Sequence, residues 1–171
     1  EAPTISEREA DEIIYEGLKA AEGKIDVVIG CSSNSTAEAV KKCRRAASLG
    51  AEKLLVLTPY YNKTNKEGMK RNFLTVAEGV QAKTIIYIFP SRTGCSVDTE
   101  TLAELSNHEN IIGIKEAGGN ISYAARVASL ISDDFFMISG LILMSIISIR
   151  HLSFLALIGT ICFSRVFTLF L

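Results

Sequence analysis

TIIYIFPSRTGCSVDTETLAELSNHENIIGIK, residues 84–115, decides the fold. It opens on a β-branched run, Thr84 to Phe89, and turns through Pro90-Ser91-Arg92-Thr93-Gly94. After a longer amphipathic stretch it returns to a second apolar run, Ile111 to Ile114, which delivers Lys115. A strand, a crossover and a second strand within about 30 residues are the unit from which parallel sheets are built.

Outward from this stretch the rhythm repeats. Val27 to Gly30, Leu54 to Thr58 and Phe136 to Ser139 are further short apolar runs, so strands begin roughly every 25 to 31 residues between Ile25 and Ser139. Such near-continuous apolar runs belong to parallel strands covered on both faces. Capping boxes announce the helices between them: Ser6 with Glu9, Ser35 with Glu38 and Thr64 with Glu67. Behind the first, Ile13, Ile14, Leu18 and Ala21 form one apolar stripe; behind the third, Met69, Phe73, Val76, Ala77 and Val80 form another. Gly50 reads as a helix C-cap. Units of this kind fit an open doubly wound sheet or most of an (α/β)8 barrel, and composition does not choose between them. A complete barrel needs about 250 residues. On the barrel reading, the 171-residue chain is an incomplete TIM barrel with about five of the eight strands.

The 18 basic and 19 acidic residues are spread along the chain, leaving no basic footprint for nucleic acid. Cys31, Cys43, Cys95 and Cys162 have no paired spacing and no neighbouring histidines, so no metal site is expected. They read as small buried hydrophobes in a reducing compartment, the cytoplasm. Glu1 to Glu12 lacks the basic-then-apolar order of a signal peptide. Gly118-Gly119 and the Gly30 to Asn34 stretch lack the spacing of a nucleotide fingerprint. His108 and His151 stand apart from any triad and read as structural.

Lys115 is the residue with chemistry to offer. It stands at the carboxyl end of a parallel strand, the end that carries the active site in a barrel. Desolvation there lowers a lysine pKa and frees the amine to attack a ketone. A surface lysine paired with Glu116 is the plainer alternative. Tyr87 ends the preceding strand, and neighbouring strands lie about 4.8 Å apart, so phenol and amine can share a pocket where the phenol passes protons. Tyr87 as a core aromatic would read the same. Arg92, after the proline turn, can hold a carboxylate with two parallel hydrogen bonds or simply decorate a loop. Tyr60 and Tyr61 are adjacent aromatics in Thr58-Pro59-Tyr60-Tyr61-Asn62, a pairing that suggests packing at a subunit interface.

Four ordered motifs carry a resemblance over Glu1 to Gly140: Ser33-Asn34-Ser35-Thr36-Ala37-Glu38-Ala39, Thr58-Pro59-Tyr60-Tyr61-Asn62-Lys63, Pro90-Ser91-Arg92-Thr93-Gly94 and Gly113-Ile114-Lys115-Glu116-Ala117. Together they resemble the dihydrodipicolinate synthase/N-acetylneuraminate lyase family of pyruvate aldolases, and Ser91-Arg92-Thr93-Gly94 favours its synthase branch. The resemblance implies condensation of pyruvate with L-aspartate 4-semialdehyde in lysine and diaminopimelate biosynthesis, by way of an imine on Lys115 and with no cofactor. It implies that Tyr87 relays protons, that Tyr61 completes the relay in a neighbouring subunit, and that Arg92 binds the second substrate's carboxylate. It also implies that Gly140 lines the pyruvate pocket and that Asn34, Glu38 and Tyr60 match positions binding lysine as feedback inhibitor. Two histidines usual near that effector site are Glu7 and Ala10 here, which argues against feedback control. A homo-oligomer, at least a dimer and by resemblance a tetramer, follows from the implied role of Tyr61.

The chain departs from the family at Ile88, where the family has Asn, and at Gly118, where it has Thr. A Gly-Thr-Thr-Gly run that handles protons and carboxylate in the family is expected immediately before Glu1. From Leu141 to Leu171 the βα rhythm stops in an apolar stretch interrupted by Arg150 and Arg165. Leu152 to Ser164 is too short to span a bilayer, so no membrane segment is expected. Caps and turn signals for an apolar helix pair are missing as well. The tail is therefore expected to be an out-of-frame or unrelated translation joined at Gly140. The competing functional expectations are a pyruvate aldolase of the lyase type and an inactive truncated remnant.

Overall fold

A computed structural model describes residues 4–139 and, for the backbone, 166–170. Helix α1 (Glu7–Ala21) begins as expected: the Ser6 hydroxyl accepts from the Glu9 amide at 3.3 Å, and the Glu9 carboxylate accepts from the Ser6 amide at 2.8 Å. Strand β1 (Asp26–Gly30) leads into α2 (Thr36–Ser48), capped by Ser35, and then into β2 (Lys53–Leu57). Gly50, between them, takes φ +99°, which suits glycine after a helix end.

Helix α3 (Lys66–Glu78) corrects one expectation, because its cap is Asn65 rather than Thr64. The Asn65 side chain accepts from the Gly68 amide at 2.9 Å, so the helix starts one residue later. Its stripe is as expected: Met69, Phe73, Val76, Ala77 and Val80 are all buried. After β3 (Lys83–Ile88) come the single turn α4 (Pro90–Thr93), α5 (Thr99–Leu105), β4 (Ile111–Glu116), α6 (Ile121–Leu130) and β5 (Phe136–Ser139).

All neighbouring strands pair in parallel, in the order β5-β4-β3-β2-β1-β6, where β6 is Val166–Phe170. Sequential order with helices on one face separates the two architectures left open above. Ile29, Leu54, Val56, Ile86, Ile88 and Ile114 pack in one buried cluster with residues of α1, α2, α3, α5 and α6. Val28, Leu55 and Ile85 form a second cluster with Tyr87, Ile112 and Phe136, to which no helix contributes. A doubly wound sheet would carry helices on both faces and reverse its strand order. This sheet is a segment of an (α/β)8 barrel: helices outside, a concave face inside.

Strand β6 was not expected. It pairs with β1 over the full run from Asp26–Val166 to Gly30–Phe170. The expected junction at Gly140 and tail residues 141–165 and 171 lie outside the described residues. Among the described residues no helix is long and apolar enough to cross a membrane.

Candidate active site

The parallel ladder of β3 and β4 sets Tyr87 directly beside Lys115. Strand alternation turns both side chains to the concave face, where the Lys115 Nζ lies 4.8 Å from the centre of the Tyr87 ring. Both are near the carboxyl ends of their strands, the end where barrel enzymes place their chemistry. Lys115 is thus within β4, not just past it, and half-buried. Burial lowers its pKa from 10.5, and the desolvation that does so favours the neutral, nucleophilic amine. Burial also raises the Tyr87 phenol above its ordinary value, opposed by the charge of Arg92. A phenol in contact with a desolvated amine is an arrangement suited to proton relay.

Gly113 explains how β5 approaches so closely. A Cβ at this position would lie 2.6 Å from the Phe136 ring, so glycine leaves the space that ring fills on the concave face. The surface alternative for Lys115 does not fit, because Glu116 turns to the helix side, is 2% exposed, and accepts from the Gly118 amide at 2.6 Å.

Arg92 is exposed on α4, with its Cζ 6.0 Å from the Phe89 ring centre; that ring in turn lies 5.7 Å from the ring of Tyr87. Tyr87, Phe89 and Arg92 therefore form a continuous series rising from the amine to the rim. The turn bearing Arg92 is closed by Gly94, at φ +68°, whose amide donates to the Pro90 carbonyl. The Cys95 thiol donates to the Pro59 carbonyl at 3.1 Å, joining that turn to the Tyr60-Tyr61 loop.

The other expected positions do not gather here. Tyr61 is 91% exposed and sits at φ +66°, a left-handed backbone that aims the phenol into solvent. Tyr60 is part-buried. Asn34 donates to the Asn62 side chain at 3.2 Å, tying the β1 and β2 loops together. Glu38 lines a separate cleft between α1 and α2, together with Glu7, Ala10, Asp11, Lys41 and Arg45. There Arg45 bridges Glu7 and Asp11, whose carboxyls its hydrogen bonds hold below their usual values. Gly140 lies outside the described residues. His108 accepts from the Asn110 amide at 3.1 Å in the turn before β4, as a structural histidine would.

Sequence reasoning missed Phe89, Cys95 and the burial of Glu116. Only the last had a signal: a period of two along Ile114-Lys115-Glu116 places the acid with Ile114 on the helix face.

The model of the dihydrodipicolinate synthetase family matches residues 1–155. The 4-hydroxy-tetrahydrodipicolinate synthase of Buchnera aphidicola subsp. Schizaphis graminum is 41% identical over 140 residues, 82% of this chain and 48% of the relative. The synthase of Alkaliphilus oremlandii is 42% identical over 137 residues, 80% of this chain and 47% of the relative. Among solved structures, dihydrodipicolinate synthase of Thermotoga maritima superposes with a TM-score of 0.84 at 34% identity, over 88% of this chain and 52% of that one. The chain spans about half the length of the curated relatives it matches.

Proposed function

Because the chain belongs to the dihydrodipicolinate synthetase family, we propose that it carries the imine-forming centre of a class I pyruvate aldolase that condenses pyruvate with L-aspartate 4-semialdehyde. One observation carries this proposal: the half-buried Lys115 amine stands 4.8 Å from the Tyr87 ring centre, at the carboxyl ends of adjacent parallel strands.

The free amine attacks the keto carbon of pyruvate, and the carbinolamine loses water to give an imine. The cationic imine then draws electrons from the neighbouring methyl group; loss of a proton gives an enamine, whose carbon adds to the aldehyde. The protein needs no cofactor for these steps, since the imine is itself the electron sink. Tyr87 is placed to return and remove protons, and its raised pKa keeps it protonated until the amine or carbinolamine calls for transfer. Arg92, at the rim, supplies a planar cation for the semialdehyde carboxylate.

Tyr61, held outward by its backbone, suits a role in a neighbouring copy's site, and a homo-oligomer, at least a dimer and by resemblance a tetramer, belongs to the proposal. Lysine feedback through Asn34, Glu38 and Tyr60 is left out of the proposal, because Glu7 and Ala10 stand where the family's effector-site histidines would be.

Rates separate the branches of the family. Turnover of pyruvate with aspartate semialdehyde above cleavage of N-acetylneuraminate supports the synthase assignment, and the reverse order moves the protein to the lyase branch. The described sheet ends at β5 and β6 rather than closing on itself. A second reading is that the chain is an inactive truncated remnant, which the open edges of the described sheet favour. Absence of both pyruvate capture and product from aspartate semialdehyde would distinguish it.

A further inference from the structure

Next to Lys115, the Glu116 carboxyl is buried to 2% exposure on the helix side of β4. Its Oε1 accepts from the Gly118 amide at 2.6 Å, and its Oε2 has no hydrogen-bond partner among the described residues. A buried carboxyl is costly, and an apolar side chain would fill the same space at lower cost. What the carboxyl supplies is an acceptor for the loop that leaves the strand.

That loop is built around it. Beyond Glu116 the Ala117 amide still donates to the Ile88 carbonyl at 2.9 Å, and the chain then folds back so that Gly118 meets the carboxyl. A Cβ on Gly118 would lie 2.6 Å from the Glu116 Oε1 and 3.3 Å from Pro90 Cγ and Cδ. Glycine at 118 therefore lets three things come together: the carboxyl, the exit loop of the lysine strand, and the first residue of the turn bearing Arg92.

We infer that Glu116 is a positioning residue: its carboxyl fastens the end of β4 against the Pro90 turn and so fixes Lys115 over the Tyr87 ring. The inference rests on the proposed imine chemistry for its purpose, but its geometry stands apart from any substrate.

The test reads the Lys115 amine directly. In the full chain, an amine-directed acylating reagent is applied across a pH series, and modification at Lys115 is followed by peptide mass spectrometry. Among the described residues, the charged and titratable groups on the elements around Lys115 include Tyr87 on β3, Arg92 on α4 and Glu116 itself; Tyr123 of α6 faces Glu116 from the other side.

Glu116→Ala frees the loop and solvates the amine, so the labelling midpoint rises. A rise of about half a unit cuts labelling below the midpoint roughly threefold. Glu116→Gln keeps an acceptor oxygen for the Gly118 amide and holds the parental midpoint. Gly118→Ala keeps the carboxyl but drives it from its place, and moves the midpoint as Glu116→Ala does, so the test survives if Glu116→Ala fails to fold. Were Glu116 merely a nearby charge, removing it would lower the midpoint, and Gln and Ala would act alike.

An unchanged or lowered midpoint in folded Glu116→Ala or Gly118→Ala protein overturns the inference. Pyruvate capture, measured alongside, is independent of it: failure to capture pyruvate in every variant, with the midpoints moving as stated, removes the aldolase assignment and leaves the positioning role in place.

Discussion

Replacing Gly113 with alanine tests how tightly the strand bearing Lys115 is joined to its neighbour. A Cβ at 113 would lie 2.6 Å from Cδ2 and Cε2 of Phe136 and 2.7 Å from the Phe136 carbonyl oxygen. Carbon atoms meet comfortably at about 3.5–4.0 Å, so the added methyl overlaps its surroundings by roughly 1 Å. The ring can swing away. The carbonyl cannot, since Phe136 is the ladder partner of Gly113 and its backbone belongs to β5. Relief therefore requires β4 and β5 to part. Overpacking costs about 1–3 kcal/mol, and a backbone atom among the colliding groups puts Gly113→Ala near the upper end. For a chain of this size 3 kcal/mol corresponds to roughly 6–12 °C in Tm.

Urea unfolding followed by circular dichroism, with the slope unchanged, gives the free energy directly. Gly50→Ala is the contrast: at φ +99° it strains the backbone, but its Cβ meets only Leu18 Cδ1, at 3.7 Å. It should cost about 1–2 kcal/mol. A Gly113→Ala protein within about 0.5 kcal/mol of the parent would refute the packing account of this strand pair.

Three further outcomes are expected. Phe73, wholly buried beneath the sheet, should cost about 3–5 kcal/mol on replacement by alanine in the same urea assay. At the cap of α5, burial works to raise the Asp98 carboxyl, but hydrogen bonds from Thr101 and Lys66 outweigh it and hold the group at about 2. Its folded pKa lies below its unfolded one, so the stability it contributes is full above about pH 4 and lost as pH falls through its folded value. Asp98→Asn should flatten that acid limb, with a neutral-pH loss of about 1 kcal/mol or less, as unfolding across pH 2 to 7 would show. Lys115 gives a slope of the same sign at high pH, but by relief of a burial penalty rather than by a favourable contact. Its folded pKa is lowered by burial, so between that value and 10.5 the unfolded chain binds more protons and stability rises with pH. Lys115→Met should abolish that rise; its persistence would trace it to another group.

Much of the fold was legible because its signals are local. The run Thr84 to Phe89 and its partner Ile111 to Ile114 announce strands by composition, and Ser6 with Glu9 announces a helix by two reciprocal hydrogen bonds. Thr64 misled because Asn65, one residue on, caps as well, and the choice depends on the approach of the chain from β2. The barrel could be told from an open doubly wound sheet only once the helices were seen to share one face, a property of packing rather than of any one segment. β6 was illegible because Val166 to Phe170 lies in a stretch without turns or alternation, and a strand there is defined by its pairing with β1. At the site, adjacency of Tyr87 and Lys115 followed from strand spacing, whereas the Phe89 link to Arg92 and the Glu116 contact with Gly118 depend on how a turn folds back in space.

Covalent capture at Lys115 tests the central claim most directly. The full chain is incubated with pyruvate, reduced with sodium borohydride, digested, and mapped by mass spectrometry. A single pyruvate-derived adduct on Lys115, slowed about 10²-fold or more in Tyr87→Phe, is the predicted result. Folded protein that carries no adduct at Lys115, or carries it on another lysine, contradicts the account.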